Sequence, residues 1–87
     1  MYRDSYSEEI AKKLSKLKKK DPKHYEIVRK KMDQILASPE HEYKNLRYDM
    51  KGINRVHIGH FVLVFTVDHS KQTVSFEDYD HHDKIYA

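Results

Sequence analysis

Histidine and arginine cluster in the middle of the chain, in a pattern suited to acid–base chemistry on a phosphate. Arg55, His57 and His60 lie within six residues, and five of the seven histidines lie beyond residue 56. Imidazole titrates near neutral pH, so one histidine could accept the proton of a ribose 2′-hydroxyl while another protonates the leaving 5′-oxygen. Arginine would stabilise the charge on the phosphorane. RNA carries its own nucleophile, so this chemistry requires neither a metal nor a cofactor.

A second group of candidates lies near the C-terminus, where His81, His82 and Tyr86 occur within six residues. Tyr86 would either fill the end of the core or stack on an unpaired base. The plainer alternative for the histidines is a solvent-facing turn and a polar tail. A metal site is the competing functional interpretation, built from His57, His82 and either Asp80 or Asp83. No spacing matches a compact metal motif such as two histidines at i and i+4, so we predict no metal.

The charge is distributed unevenly along the chain. Residues 7–37 carry ten Lys and Arg against five acids, and residues 44–60 carry four bases against Asp49 alone. Residues 68–83 reverse the sign, with five acids against Lys71. A basic surface on the first two-thirds indicates a polyanionic partner, although lysines on helices are commonly just solvated decoration.

Two amphipathic helices are expected in the basic first half. Ser7 followed by two glutamates is a helix start, and Asp21-Pro22 is the next. Apolar residues then recur at helical spacing, and Ser38-Pro39 ends the second helix. The two together form an antiparallel helical hairpin.

A small sheet is expected to fill the second half. The apolar run Phe61–Val67 fits a strand buried on both faces, and 54–58 alternates as a half-exposed partner, with Gly59 at the turn. Residues 73–79 alternate again as a third strand. A short strand or lead-in at 44–49, a weak edge strand at 2–6 and one C-terminal helical turn complete the pattern. The expected fold is α+β: the helical hairpin packs on one face of a small, twisted, mainly antiparallel sheet.

The composition limits the class of protein. Eighty-seven residues with mean hydropathy −0.95 make one domain, 1–87, with a thin core. The absence of cysteine excludes disulfides, thiolate metal sites and a cysteine nucleophile. No segment approaches a membrane span and the first residues lack a signal-peptide core, which predicts a cytoplasmic protein.

Three stretches together resemble the RelE/ParE superfamily of toxins from type II toxin–antitoxin systems. They are 46–52 with its leucine and glycine, RVHIGHFVLVF (55–65) and FEDYDHHDKIY (76–86). The KLKKKDP segment of the helical start is similar to archaeal members, so the likeness covers nearly the whole chain. Their order and spacing carry the resemblance.

The resemblance implies a ribosome-dependent mRNA endonuclease that reaches mRNA in the ribosomal A site. A RelB-like antitoxin would neutralise it, with a heterotetramer as the expected complex. Carried over by position, the catalytic set is Arg55, His57, His60 and His82, where His82 matches the histidine of the YafQ-like branch. The set for RNA and phosphate contacts is Lys44, Arg47, Lys51, His81 and Tyr86.

The chain departs from RelE at two positions. Val62 stands where RelE and YoeB keep an arginine in the buried arm, and His81 or His82 replaces the C-terminal arginine. Catalysis would therefore be of the histidine type. The alternatives are a ParE-like toxin that inhibits gyrase without cleaving RNA, and a weakened or inactive basic nucleic-acid-binding relative.

Overall fold

The computed structural model describes residues 1–47 and 52–87. Two long helices pack on one face of a five-stranded sheet, and a single helical turn follows the last strand. The predicted fold class is confirmed. In chain order the elements are β1 (Arg3–Tyr6), α1 (Glu8–Lys20), α2 (Pro22–Ala37), β2 (Lys44–Asn45), β3 (Asn54–Ile58), β4 (Phe61–Asp68), β5 (Thr73–His81) and α3 (His82–Ile85).

The helical hairpin is fixed by side-chain caps, as the sequence predicts. The Ser7 hydroxyl oxygen accepts the Ile10 N–H at 3.1 Å, while the Ser7 N–H donates to the Phe76 carbonyl of β5. Asp21 ends α1 and begins α2: its N–H donates to the Leu17 carbonyl, and its carboxylate accepts the His24 N–H at 3.1 Å. One residue therefore serves both helices, which keeps the turn between them short.

The sheet order is β1-β5-β4-β3-β2. Neighbouring strands are antiparallel except β1, which lies parallel to β5 with Arg3 opposite Thr73. The edge strand predicted only weakly at residues 2–6 is therefore present. A β-bulge between Val64 and Phe65 shifts the register on β5, so that Phe76 and Tyr79 both reach the helix-facing core.

β4 is buried on both faces, as expected. Leu63 and Phe65 join the core beneath the helices, together with Ile10 of α1 and Met32 of α2. Val62 is also fully buried but lies outside that core cluster. Alternation along a strand places it on the opposite face, so β4 stabilises two layers of side chains.

Two details differ from the sequence prediction, and a third agrees with it. β5 continues two residues beyond Tyr79, to His81, because its pairing with β4 runs to Phe61 opposite His81. Only Lys44–Asn45 of the predicted 44–49 segment forms a strand, and its end lies outside the described residues. Within the described ranges, no helix combines the length and apolar character needed to cross a membrane.

Candidate active site

The basic candidates of the central hairpin lie on the sheet face away from the two long helices. In the strand register Lys44 is opposite Arg55, Arg55 is opposite Val64, and His57 is opposite Val62. Directly opposed residues share a face, as do residues two apart on one strand. Lys44, Arg55 and His57 therefore project from one surface, above a floor that contains the buried Val62 and Val64.

α3 brings the C-terminal candidates onto the same end of the sheet. The His82 N–H donates to the His60 carbonyl at 2.8 Å, which anchors the start of α3 at the β3–β4 turn. The His57 and His82 rings stack with centroids 5.9 Å apart and planes inclined by 26°. The Tyr86 ring packs on His82 with centroids 4.7 Å apart. An Arg55 guanidinium nitrogen lies 3.4 Å from His57 Nδ1.

The surroundings of His57 favour the neutral form of its ring. Partial loss of water around the ring lowers its pKa below the usual 6.5, and the nearby positive charges of Arg55, His82 and Lys44 lower that pKa further. A neutral imidazole at neutral pH is able to accept a proton.

His60 and His81 form a second pair of stacked rings, with centroids 6.2 Å apart. His81 lies opposite Phe61 and contacts its ring edge-on at 5.6 Å. Its Nδ1 accepts the Asp83 N–H at 3.3 Å, so the side chain also caps the start of α3. The four histidines are thus arranged as two pairs around the β3–β4 turn.

Three predicted site residues remain: Arg47, Lys51 and Tyr86. Arg47 is exposed. Lys51 lies outside the described residues, so its predicted phosphate contact stays a prediction. Tyr86 is half-buried, and its hydroxyl is buried without a hydrogen-bond partner among the described residues. The ring of Tyr86 thus covers His82 while its hydroxyl points inward, which is compatible with both roles predicted for it.

Across residues 1–47 and 52–87, no group of three histidine, aspartate or glutamate side chains is arranged to hold a metal ion. The alternative cluster of His57, His82 and a nearby aspartate is therefore not formed there. The arrangement places two imidazoles and a guanidinium close enough to act on one phosphodiester.

Comparison with known proteins identifies the family to which the chain belongs. No protein-family profile matches the chain. A Methanosarcina mazei protein without a functional name is 51% identical over 87 residues, covering 99% of this chain and 100% of that protein. A Methanocaldococcus jannaschii protein named "Putative toxin RelE4" is 48% identical over 87 residues, covering 99% of this chain and 92% of that protein. The chain belongs to the RelE family of toxins.

Solved RelE structures share the fold. The isolated Escherichia coli RelE toxin superimposes with a TM-score of 0.78 at 23% identity, covering 93% of this chain and 84% of that one. The RelBE2 toxin–antitoxin complex of Mycobacterium tuberculosis gives a TM-score of 0.74 at 22% identity, covering 92% of this chain and 96% of that one. These similarities extend over nearly the whole RelE-type domain.

Two contacts of this RelE-family chain could not be recognised from its sequence. Lys13 of α1 reaches Asp78 at 2.7 Å and Asp80 at 2.9 Å, although it appears in the sequence as one of many helix-surface lysines. His24, expected on the helix surface, is half-buried and hydrogen-bonds the Tyr79 hydroxyl. Asp78 and Asp80 alternate on β5, which marks them as sharing a face, but nothing in the sequence identifies Lys13 as their partner.

Proposed function

We propose that this RelE-family protein is the toxin of a type II toxin–antitoxin system and cleaves mRNA in the ribosomal A site. The observation that carries the proposal is the stacked pair of His57 and His82, with the Arg55 guanidinium 3.4 Å from His57. The full-length similarity to a protein named as a RelE toxin supports it independently. The reaction needs no metal and no covalent intermediate with the protein.

The proposed reaction begins when His57 accepts the proton of the ribose 2′-hydroxyl. His57 is suited to be the base because its lowered pKa leaves the ring neutral at neutral pH. The 2′-oxygen attacks the adjacent phosphorus, and the bond from phosphorus to the 5′-oxygen breaks as His82 donates a proton to that oxygen. The products are a 2′,3′-cyclic phosphate and a 5′-hydroxyl. His57 gains one proton and His82 loses one, and exchange with water restores both.

The groups around the pair have supporting roles in this proposal. Arg55 stabilises the additional negative charge of the phosphorane. The Asp83 carboxylate lies 3.6 Å from His82 Nδ1, where it pairs with the ring when the ring is protonated. His60 stays a candidate for the same proton transfers, whereas His81, stacked on it at 6.2 Å, lies opposite Phe61 on the helix-facing side of β5 and keeps only its predicted phosphate contact.

The RNA backbone would follow the basic strip beside the histidines. Lys44 and Arg55 are directly opposite each other on neighbouring strands, and Arg47 is exposed two residues beyond the end of β2. The phosphate contact predicted for Lys51 from its sequence position stays a prediction. Tyr86, which packs on His82, would stack on the base next to the scissile phosphate; such a stack contributes about 1–3 kcal/mol.

A RelB-like antitoxin is the proposed protein partner, and the cytoplasm, where mRNA is translated, is the proposed compartment. Two structural neighbours are RelBE complexes, from E. coli and M. tuberculosis. The chain itself carries net charge +3, with the excess of lysines on its two helices. An acidic amphipathic partner would be complementary to such a surface and would stabilise a small domain by binding its folded state.

His82→Ala is the direct test of this function. Loss of a general acid typically costs 10²- to 10⁴-fold in rate, so we expect cleavage of ribosome-bound mRNA to fall by about that factor while binding to ribosomes persists. Primer extension on a defined mRNA measures the cleavage. His41→Ala is the matched control, because His41 is an exposed loop residue that should leave the rate unchanged.

Two results would oppose the proposal. Wild-type cleavage by the His82→Ala variant would remove His82 from the mechanism. Growth arrest with intact mRNA, relieved by gyrase mutations, would instead identify a toxin of the gyrase-inhibiting kind.

A further inference from the structure

The acidic C-terminal segment presents an electrostatic problem for a protein that binds RNA. Residues 68–83 contain five acids and one lysine. Asp80 is opposite Val62 in the strand register, and Val62 is opposite His57, so Asp80 belongs to the same cross-strand row as the candidate base. Asp78 is opposite Val64, in the row that contains Arg55. Two unpaired carboxylates there would repel an RNA backbone lying along the strip.

The ammonium group of Lys13 in α1 pairs with both carboxylates and offsets one of their two negative charges. Its Nζ donates to Asp78 Oδ1 at 2.7 Å and to Asp80 Oδ2 at 2.9 Å. Lys13 and Asp80 are partly withdrawn from water, with exposed side-chain fractions of 28% and 24%, and Asp78 is more open at 36%. Glu9, at 3.7 Å and 67% exposed, is a weaker neighbour on the same helix. Such short, partly buried contacts are stronger than ordinary surface ion pairs.

The contact also connects α1 with the residues that begin α3. Asp80 uses its other oxygen, Oδ1, to accept the His81 N–H at 2.7 Å. His81 precedes α3 and caps its start, and His82 is the first residue of that helix. Lys13, Asp80 and His81 therefore form a continuous chain of hydrogen bonds from α1 to the candidate site.

The surroundings of Lys13 and Asp80 favour the charged form of each side chain. Burial opposes the charged form of Lys13, but the hydrogen bonds with Asp78 and Asp80 outweigh it and raise the Lys13 pKa. Burial likewise opposes ionisation of Asp80, and the hydrogen bonds from Lys13 and the His81 N–H lower its pKa overall. The ion pair between Lys13 and Asp80 is therefore favoured under the conditions in which RNA would bind.

We propose that Lys13 is a positioning residue for RNA binding: it holds the Asp78 and Asp80 carboxylates and offsets one of their two negative charges, so that the strip beside His57 repels a polyanion less. The proposal rests on the proposed nuclease function and adds a residue outside the catalytic face. Lys13 contacts neither RNA nor the reacting atoms. Because Lys13 acts through Asp80, we expect a substitution of Asp80 to compensate for the loss of Lys13.

The test uses steady-state cleavage of ribosome-bound mRNA by Lys13→Met, Asp80→Asn and the double variant. We expect Lys13→Met to raise KM about five- to tenfold with kcat within about twofold, as one uncompensated charge near the backbone would cause. Asp80→Asn added to Lys13→Met should return KM to within about twofold of the wild-type value. Lys13→Arg, which keeps the charge, should behave like the wild-type protein.

Lys16→Met is the matched control. It removes the same charge from the same helix, and Lys16 has no ion-pair partner within the described parts of the chain. We expect its KM to change less than about twofold. Equal effects of Lys13→Met and Lys16→Met would overturn the proposal, as would a double variant that recovers no affinity.

The outcomes remain informative if Lys13→Met fails to fold. Asp80→Asn alone, with Lys13 present, should lower KM about twofold or more, and an unchanged KM would overturn the proposal. A wild-type protein that leaves ribosome-bound mRNA intact refutes the nuclease function, and with it the role of Lys13. Wild-type cleavage with no specific effect at Lys13 refutes the positioning role alone.

Discussion

At the scale of single residues, the candidate chemistry depends on holding one imidazole neutral beside another that can carry a proton. His57 satisfies the first requirement because partial dehydration and its cationic neighbours lower its pKa. His82 stacks on it and has a carboxylate partner in Asp83. Identical side chains 5.9 Å apart thus have different surroundings, and different surroundings are what assign acid and base roles to like groups.

Arg55→Met tests the electrostatic control of His57. Removing the guanidinium removes one cause of the lowered pKa, so we expect the His57 pKa to rise towards its usual 6.5. The cleavage rate falls on acidification through the pKa of the base, so the acidic limb should move to higher pH. Titration of the His57 ring by NMR measures the pKa in the free protein.

Arg47→Met provides the comparison for that titration. It removes the same charge from the same basic strip, and Arg47 is not among the groups that lower the His57 pKa. An unchanged His57 pKa in Arg55→Met, or an equal rise in both variants, would contradict this account of the site.

At the scale of secondary-structure elements, the site depends on how α1 is attached to β5. Ser7 joins the two elements: its hydroxyl oxygen accepts the Ile10 N–H and its own hydroxyl donates to the Glu77 carbonyl. Lys13 joins them again one to two turns later through Asp78 and Asp80. β5, which ends at His81 and leads directly into α3 with His82, is therefore attached to α1 at two points.

Ser7→Ala should measure the first of these attachments. It removes the helix cap and leaves the Glu77 carbonyl without its donor, so we expect a loss of about 1–2 kcal/mol in the free energy of unfolding. Urea denaturation followed by circular dichroism measures it. Ser15→Ala, at an exposed interior position of α1, should be neutral or slightly stabilising, since alanine is the better helix former. Equal stability of the two variants would show that Ser7 does not anchor α1.

At the scale of the whole molecule, the helices and strands could be predicted from the sequence, but most of the contacts between them could not. The caps at Ser7 and Asp21, the turn at Gly59 (φ 62°) and the doubly buried β4 follow from local residue types, and each is observed. The parallel pairing of β1 with β5 was open, because an edge strand of mostly polar residues gives no signal for its partner.

The features of the site that the sequence could not predict are mostly contacts between residues far apart in the chain. The stack of His57 on His82 depends on α3 folding back at the β3–β4 turn, and the Lys13 cluster joins residues 65 and 67 positions apart. Charge or hydrophobic patterning does not encode such separations. The catalytic roles of Arg55, His57, His60 and His82 rest on geometry and family, and stay predictions.

The most direct measurement of the central claim is cleavage of a ribosome-bound mRNA that carries a single 2′-deoxynucleotide at the scissile position. If paired histidines activate the 2′-hydroxyl of RNA, the unmodified mRNA will be cut to a 2′,3′-cyclic phosphate and a 5′-hydroxyl. The deoxy-substituted mRNA will remain intact at that position. Cleavage of the deoxy-substituted mRNA at the same bond, or products with a 5′-phosphate, would contradict the mechanism.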